Sequence, residues 1–183
     1  ITIIDVHNFD ELYENPDANE PRLIAIWAQI AQHYKDQPQN LIFEIINEPR
    51  DKFSGRRVNQ TQDKVLAEIR KTNPSRTVIY SGDEWGGISG MDNIVLPQDP
   101  YLVATVHYYN PFEFTHQGAE FLGKDAPPAG RIWPIGDDIE KLDKDIQRIK
   151  DFQTRINAPV FVGEYGATIE IPMQYRAAWT FDV

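Results

Sequence analysis

Short apolar segments alternate with amphipathic segments along most of this chain, and this alternation restricts its fold more than any other feature. The apolar segments are rich in β-branched residues and predict five strands, over 1–6, 41–46, 77–81, 101–106 and 159–162. Most of them are apolar on both faces. That pattern is typical of parallel strands that are covered by helices.

The segments between these strands have apolar residues at helical spacing. We expect helices over 22–34, 58–71 and 139–156, and the last residues, from 173 onward, also have a helical pattern. Strands that alternate with helices define an α/β domain, either a doubly wound sheet or a closed barrel.

Polar side chains at the ends of the predicted strands favour the barrel. His7, Asn47 with Glu48, His107 and Glu164 each lie at or just beyond the carboxyl end of an apolar run. A doubly wound sheet concentrates its site at one switch point, whereas a (β/α)8 TIM barrel gathers functional residues from several strand ends. The sequence therefore predicts a TIM barrel.

Five strands are too few to close an eight-stranded barrel, which takes about 250 residues. We therefore expect residues 1–183 to form one partial barrel domain that corresponds to strands 3–7. The chain opens directly in a strand and has no signal peptide at its first residues, which indicates a start inside a domain.

Composition excludes several classes of function. The chain has 28 acidic and 18 basic residues and a net charge of −10, which disfavours nucleic acid as a partner. It has no apolar stretch of the roughly 18 residues that a membrane span needs. With no cysteine, it has no disulfide, no thiolate nucleophile and no cysteine-ligated zinc. The sequence leaves the oligomeric state open.

Glu48 and Glu164 are the strongest candidates for catalysis. A carboxylate at the end of an apolar strand is unfavourable unless it is paired or functional. Cleavage of a glycosidic bond with retention uses two carboxyl groups about 5 Å apart, one as the acid and one as the nucleophile. The two glutamates fit this division of roles.

Four motifs resemble those of glycoside hydrolase family 5, the cellulase family. They are the segment 4–12 with its histidine, the Asn-Glu-Pro segment 45–49, the His-x-Tyr segment 106–109 and the Gly-Glu-Tyr-Gly segment 163–166. The run 107–118 also resembles bacterial members with endoglucanase activity. These motifs cover almost the whole chain in the family's order.

The resemblance implies a role for each matching residue. Glu48 would be the general acid/base and Glu164 the nucleophile, while Asn47 would bind the sugar 2-hydroxyl. Tyr109 would orient Glu164. His7 and His107 would line the −1 subsite. The resemblance implies no metal and no organic cofactor.

Two tryptophans are candidates for stacking on sugar rings, which present apolar faces. Trp85 lies in a glycine-rich loop after the third strand, and Trp133 lies in the long loop after the fourth. Trp27 and Trp179 lie on helical stripes, and we expect them in the core.

The predicted function is a retaining endoglucanase that cleaves β-1,4-glucan. Three alternatives remain: a β-mannanase or other β-glycanase, a metal-dependent barrel hydrolase that uses Asp5 and His7, and a non-catalytic carbohydrate-binding remnant. The expected partner is a β-glucan polysaccharide or oligosaccharide. Because a polymer is not taken up whole, we expect an extracellular enzyme.

Overall fold

The computed structural model describes all 183 residues and contains five strands, each followed by one or more helices. The strands are β1 (Thr2–Asp5), β2 (Leu41–Glu44), β3 (Val78–Ser81), β4 (Leu102–Tyr108) and β5 (Val160–Tyr165). The α-helices are α1 (Asp10–Glu14), α2 (Pro16–His33), α3 (Arg56–Arg70), α4 (Ile88–Met91), α5 (Phe112–Thr115), α6 (Asp138–Ile156) and α7 (Met173–Asp182). Two 3-10 turns cover Glu84–Gly86 and Glu120–Asp125.

The strands form one sheet in the order β1-β2-β3-β4-β5. Neighbouring pairs are parallel from β1 to β4, with Ile3 opposite Ile42, Phe43 opposite Val78 and Val78 opposite Leu102. This order confirms the predicted strands and the long predicted helices. The short helices α1, α4 and α5 were not predicted, because four or five residues are too few to display a helical period.

The chain packs as two units, and the boundaries between them fall within strands β4 and β5. The first unit comprises residues 1–106 and 152–161. In it, α2 buries a face formed by Leu23, Trp27 and Ala31. The indole N–H of Trp27 donates to the Ile45 carbonyl at 2.7 Å, so the helix is fixed to the segment that follows β2.

Helix α3 buries the other long apolar face of this unit. Its buried residues recur at helical spacing and are Val58, Thr61, Gln62, Val65, Leu66 and Ile69. The Gln62 amide donates to the Ser81 carbonyl at 3.0 Å and accepts from the Ser81 N–H at 2.9 Å. This pair of bonds ties α3 to the carboxyl end of β3.

The second unit comprises residues 107–151 and 162–183. Trp179 of α7 is fully buried in it, and its indole N–H donates to the Asn110 carbonyl at 3.0 Å. Its ring stacks on Tyr108 at a centroid distance of 6.3 Å. The predicted core positions of Trp27 and Trp179 are thus confirmed.

The first and last strands in the sheet order are more exposed than those between them. Ile3 of β1 is 37% exposed, and Phe161 and Val162 of β5 are 38% and 36% exposed. Every residue of β3 is buried. None of the helices is both long and apolar enough to cross a membrane.

Candidate active site

In the first unit, the segment after β2 is held by bonds to its backbone. The N–H of Asn47 donates to the Val6 carbonyl at 3.0 Å, beyond the end of β1. Its carbonyl accepts from the Tyr13 hydroxyl at 2.6 Å. Asn47 itself is only 5% exposed. These bonds fix the backbone from which both Asn47 and Glu48 project.

Glu48 adopts a left-handed backbone conformation, with φ of 45°. Such a conformation is unfavourable for a residue with a side chain and persists where the surroundings impose it. Arg50 supplies part of that constraint, because its Nη1 donates to the Glu48 carbonyl at 3.1 Å. The Glu48 side chain is half-buried.

Arg50 is itself held by two neighbours on α1. Its guanidinium lies 4.1 Å from the centre of the Tyr13 ring, and its Nη2 donates to Asp10 at 3.1 Å. Burial raises the pKa of Tyr13 to about 12, against the opposing effect of the Arg50 charge. The hydroxyl therefore stays protonated at neutral pH and remains a donor to the Asn47 carbonyl.

His7 is exposed and lies just beyond the end of β1. Its Nδ1 is 2.7 Å from Oδ2 of Asp5, which fixes the orientation of the ring. Asp5 and His7 are the two residues that the metal-dependent alternative requires, and here they bond to each other.

Trp85 follows β3 on an unusually shaped loop. Glu84 and Trp85 both have positive φ, 51° and 53°, and the Trp85 ring is 52% exposed. The Trp85 N–H donates to the carbonyl of Pro49, at 3.2 Å. This bond joins the tryptophan loop to the segment that carries Glu48.

Asp83 anchors the base of the same loop. It accepts from the Gly55 N–H at 2.6 Å and from the Asn93 amide at 2.9 Å. Gly90 packs so tightly against this point that an added Cβ would lie 1.9 Å from the Asp83 carbonyl oxygen. The exposed ring of Trp85 therefore stands on a rigid base.

In the second unit, two of the predicted residues, His107 and Tyr109, contact the carboxylate of a third, Glu164. The Tyr109 hydroxyl donates to Oε2 of Glu164 at 2.9 Å. Nδ1 of His107 lies 3.5 Å from the same oxygen. His107 is 4% exposed, whereas the Glu164 side chain is 31% exposed. The carboxylate is thus oriented through Oε2 while part of its surface stays accessible.

Trp133 does not have the exposed face that stacking on a sugar requires. It is 4% exposed, its N–H donates to Asp182 at 2.8 Å, and its ring packs against Phe114. We predicted a platform for a sugar ring here because a tryptophan in a long loop is expected to be exposed. Its contacts are those of a core residue.

Tyr13 and Arg50 are contributors that the sequence did not predict. Tyr13 lies on a short helix, and Arg50 directly follows the Asn-Glu-Pro segment. No spacing rule links two residues 37 positions apart, and only their contact in the fold identifies them. The only sequence feature that could have indicated Arg50 is its position directly after the Asn-Glu-Pro motif.

Parallel strands with helices between them, and with polar side chains at their carboxyl ends, are typical of part of a (β/α)8 barrel. The sequence matches the family described as Cellulase (glycosyl hydrolase family 5) over residues 1–182, so the chain belongs to that family. Both the predicted family and the predicted incomplete barrel are confirmed.

Relatives of known name agree with this family. Endoglucanase H of Acetivibrio thermocellus is 35% identical over 179 residues, which are 98% of this chain and 19% of that protein. A hyperthermophilic endo-β-1,4-glucanase solved with substrate is 39% identical, with a TM-score of 0.95 over 99% of this chain and 58% of that one. Cel5A of Thermotoga maritima, solved with mannotriose, is 35% identical, with a TM-score of 0.94 over 98% of this chain and 59% of that one.

The chain therefore spans about a fifth of that curated endoglucanase and somewhat under 60% of these solved barrels. Its fold corresponds to five of the eight βα units of the barrel, as the strand count predicts.

Proposed function

We propose that this chain carries the catalytic carboxyl groups of a retaining endoglucanase that acts on β-1,4-glucan. Glu164 is the nucleophile and Glu48 is the general acid/base. The observation that carries the proposal is the pair of groups on Oε2 of Glu164, the Tyr109 hydroxyl at 2.9 Å and the His107 ring at 3.5 Å. A carboxylate oriented by two ring groups at a strand end is prepared for attack.

The reaction has two displacements. In the first, a Glu164 oxygen bonds to the anomeric carbon while Glu48 gives its proton to the departing glycosidic oxygen. In the second, Glu48 takes a proton from water, and the resulting attack breaks the bond to Glu164 and restores both groups. Asn47 binds the 2-hydroxyl, and His7 and His107 line the −1 subsite.

The names of the relatives support β-1,4-glucan as the first substrate to test. A mannotriose complex of a relative keeps β-mannan as the second candidate. Trp85, with an exposed ring on a rigid loop, is the proposed platform for a sugar ring outside the −1 subsite. We place the enzyme outside the cell, because its proposed substrate is a polymer.

Reducing-sugar release from soluble β-1,4-glucan and β-mannan tests this proposal. We expect Glu164→Gln to lower kcat at least about a thousand-fold, as loss of a nucleophile does. Glu170→Gln is the matched control, because it makes the same change at an exposed glutamate six residues further along. Equal activity of the parent and Glu164→Gln would exclude Glu164 as the nucleophile.

An aryl β-cellobioside with an activated leaving group separates the two glutamates. Such a leaving group departs without protonation, so Glu48→Gln keeps its first step and is slow only in the second. Added azide replaces water as the acceptor and restores turnover in Glu48→Gln. Azide restores nothing in Glu164→Gln, where the first displacement is lost. The opposite response would exchange the two roles.

A further inference from the structure

Thr115 lies at the end of the four-residue helix α5 and is 1% exposed. Its hydroxyl donates to the carbonyl of Tyr109 at 2.6 Å. The same oxygen lies 2.9 Å from Nδ1 of His116. The hydroxyl has one proton and uses it in the bond to the Tyr109 carbonyl. Toward Nδ1 of His116 it therefore acts as the acceptor. Thr115 therefore fixes the backbone of the residue whose side chain contacts Glu164.

The backbone of Thr115 reaches the segment that follows Glu164. Its carbonyl accepts from the Thr168 N–H at 2.8 Å. Thr168 lies four residues beyond Glu164 on the loop that leaves β5. One buried residue thus bonds to both chain segments that meet at the Glu164 carboxylate.

These bonds close a ring. It runs from Oε2 of Glu164 to the Tyr109 hydroxyl, from the Tyr109 carbonyl to the Thr115 hydroxyl, and from the Thr115 carbonyl to the Thr168 N–H. The chain from Thr168 back to Glu164 completes it. A closed ring restricts the position of each member more than a single hydrogen bond does.

The Tyr109 ring is held from a further side. The Tyr109 and His116 rings contact each other in a T-shaped arrangement at a centroid distance of 5.2 Å, and His116 stacks on Phe112 at 4.1 Å. Because Thr115 and His116 are adjacent and hydrogen-bonded, the hydroxyl orients this ring as well.

We infer that Thr115 is a positioning residue for the nucleophile: its hydroxyl holds Tyr109, and Tyr109 holds Glu164 in the orientation for attack. The inference rests on the proposed role of Glu164. Thr115 is 1% exposed and is therefore assigned no contact with the sugar. It acts by keeping the Tyr109 hydroxyl within bonding distance of Oε2. A displacement of about 1 Å at a reacting group lowers a rate by up to about a hundred-fold.

Fluorine NMR tests the contact without any need for turnover. The chain contains eight tyrosines, and 3-fluorotyrosine labels all of them, so Tyr109→Phe identifies the signal of residue 109. Glu164→Gln must shift that signal, since its ring hydroxyl bonds to the carboxylate. Thr115→Val removes the hydroxyl and keeps the shape. We expect it to shift and broaden the Tyr109 signal.

Thr115→Ser is the conservative variant, because it keeps the hydroxyl and loses only a methyl group. We expect it to leave the Tyr109 signal close to that of the parent. Thr180→Val, at an exposed threonine of α7, makes the same chemical change away from the ring. If Thr115→Val does not fold, Thr115→Ala takes its place, because it removes the hydroxyl and leaves room for a water molecule at the Tyr109 carbonyl.

Kinetics on an aryl β-cellobioside give a second readout. We expect Thr115→Val to lower kcat about ten-fold or more with KM changed less than about two-fold, since the loss is one of orientation in the transition state. Thr115→Ser should restore most of that kcat. Equal losses in the two variants would mean that packing alone matters at this position, and would overturn the inference.

The two proposals fail in different ways. Equal activity of the parent and Glu164→Gln contradicts the proposed function, and an inactive parent shows that these five βα units do not turn over substrate by themselves. In either case the fluorine signal still decides the role of Thr115. A Tyr109 signal that is insensitive to Thr115→Val, or that moves equally in Thr115→Ser, contradicts the positioning role whatever the activity.

Discussion

At the scale of single residues, Trp85 has an exposed side chain on a backbone that is held in place. Its ring is 52% exposed, yet its backbone is held at φ of 53° and bonded to Pro49. An exposed ring on a fixed backbone loses little conformational freedom when a ligand stacks on it. We therefore expect Trp85 to contribute to substrate affinity and not to the chemical step.

The variant Trp85→Ala tests this contribution. Loss of one stacked ring removes about 1–2 kcal/mol, so we expect the Kd for a cello-oligosaccharide to rise about five- to thirty-fold. Isothermal titration in the Glu164→Gln background measures this without hydrolysis. Trp85→Phe keeps an aromatic face and should lie between the two. An unchanged Kd in a folded Trp85→Ala would remove Trp85 from the site.

The residues that the sequence located best are those attached directly to strands. Glu164 lies within β5, and Asn47 and Glu48 follow β2 by a few residues, so the strand pattern alone places each of them near the carboxyl end of its own strand. Trp133 was misjudged because its burial depends on Phe114 and Asp182, which no local pattern connects to it. No sequence pattern points to Thr115, because only its hydrogen-bond partners in the fold distinguish it from other threonines in loops.

At the scale of elements, a partly buried ion pair connects α3 with the segment before β4. Nε and Nη2 of Arg70 donate to the two carboxylate oxygens of Asp99 at 2.6 and 3.1 Å, and the Tyr101 N–H donates to Asp99 at 2.9 Å. Burial alone would raise the pKa of Asp99, but these donors and the Arg70 charge outweigh it and lower the pKa.

This lowered pKa makes the pairing sensitive to acid. A carboxyl group whose folded pKa lies below its unfolded value of about 3.9 stabilises the fold above that pH. The contribution is lost as the pH falls through the folded pKa. We expect Asp99→Asn to lower the free energy of unfolding by about 1–2 kcal/mol at pH 7 and to have a smaller effect at pH 2.

Urea unfolding at pH 7 and pH 2 measures both quantities. Asp143→Asn is the matched control, because Asp143 is exposed on α6 and lies outside this pairing. If Asp99→Asn and the parent lose the same free energy between the two pH values, Asp99 does not contribute to the acid sensitivity.

The element scale is also where sequence and structure agree most closely. The long helices α2, α3 and α6 lie where apolar spacing predicts them, because apolar residues recur at helical spacing over several turns of each. The short helices do not, because their positions depend on contacts at a distance. The N–H of Lys52, for example, bonds to the carbonyl of Tyr13 on α1 at 3.1 Å.

At the scale of the whole molecule, the outer strands of the sheet present apolar side chains to solvent. Ile3 of β1 is 37% exposed, and Phe161 and Val162 of β5 are 38% and 36% exposed. Consecutive residues of a strand face opposite sides of the sheet, so β5 is open on both faces. Strand edges of this kind pair readily with other chains, whereas the net charge of −10 opposes association.

We therefore predict that the 183-residue chain self-associates and that salt promotes the association. Charge repulsion weakens as the Debye length falls from about 10 Å at 0.1 M salt to about 3 Å at 1 M, while apolar contact persists. Sedimentation velocity should show species heavier than the 21.1 kDa monomer, in a proportion that rises with salt.

Ile3→Lys places a charge on the edge of β1 and should reduce that proportion. Ile169→Lys adds the same charge at a 77% exposed loop position and should reduce it less. A parent that stays monomeric at both salt concentrations, or equal effects of the two lysines, would mean that the exposed strands do not drive association.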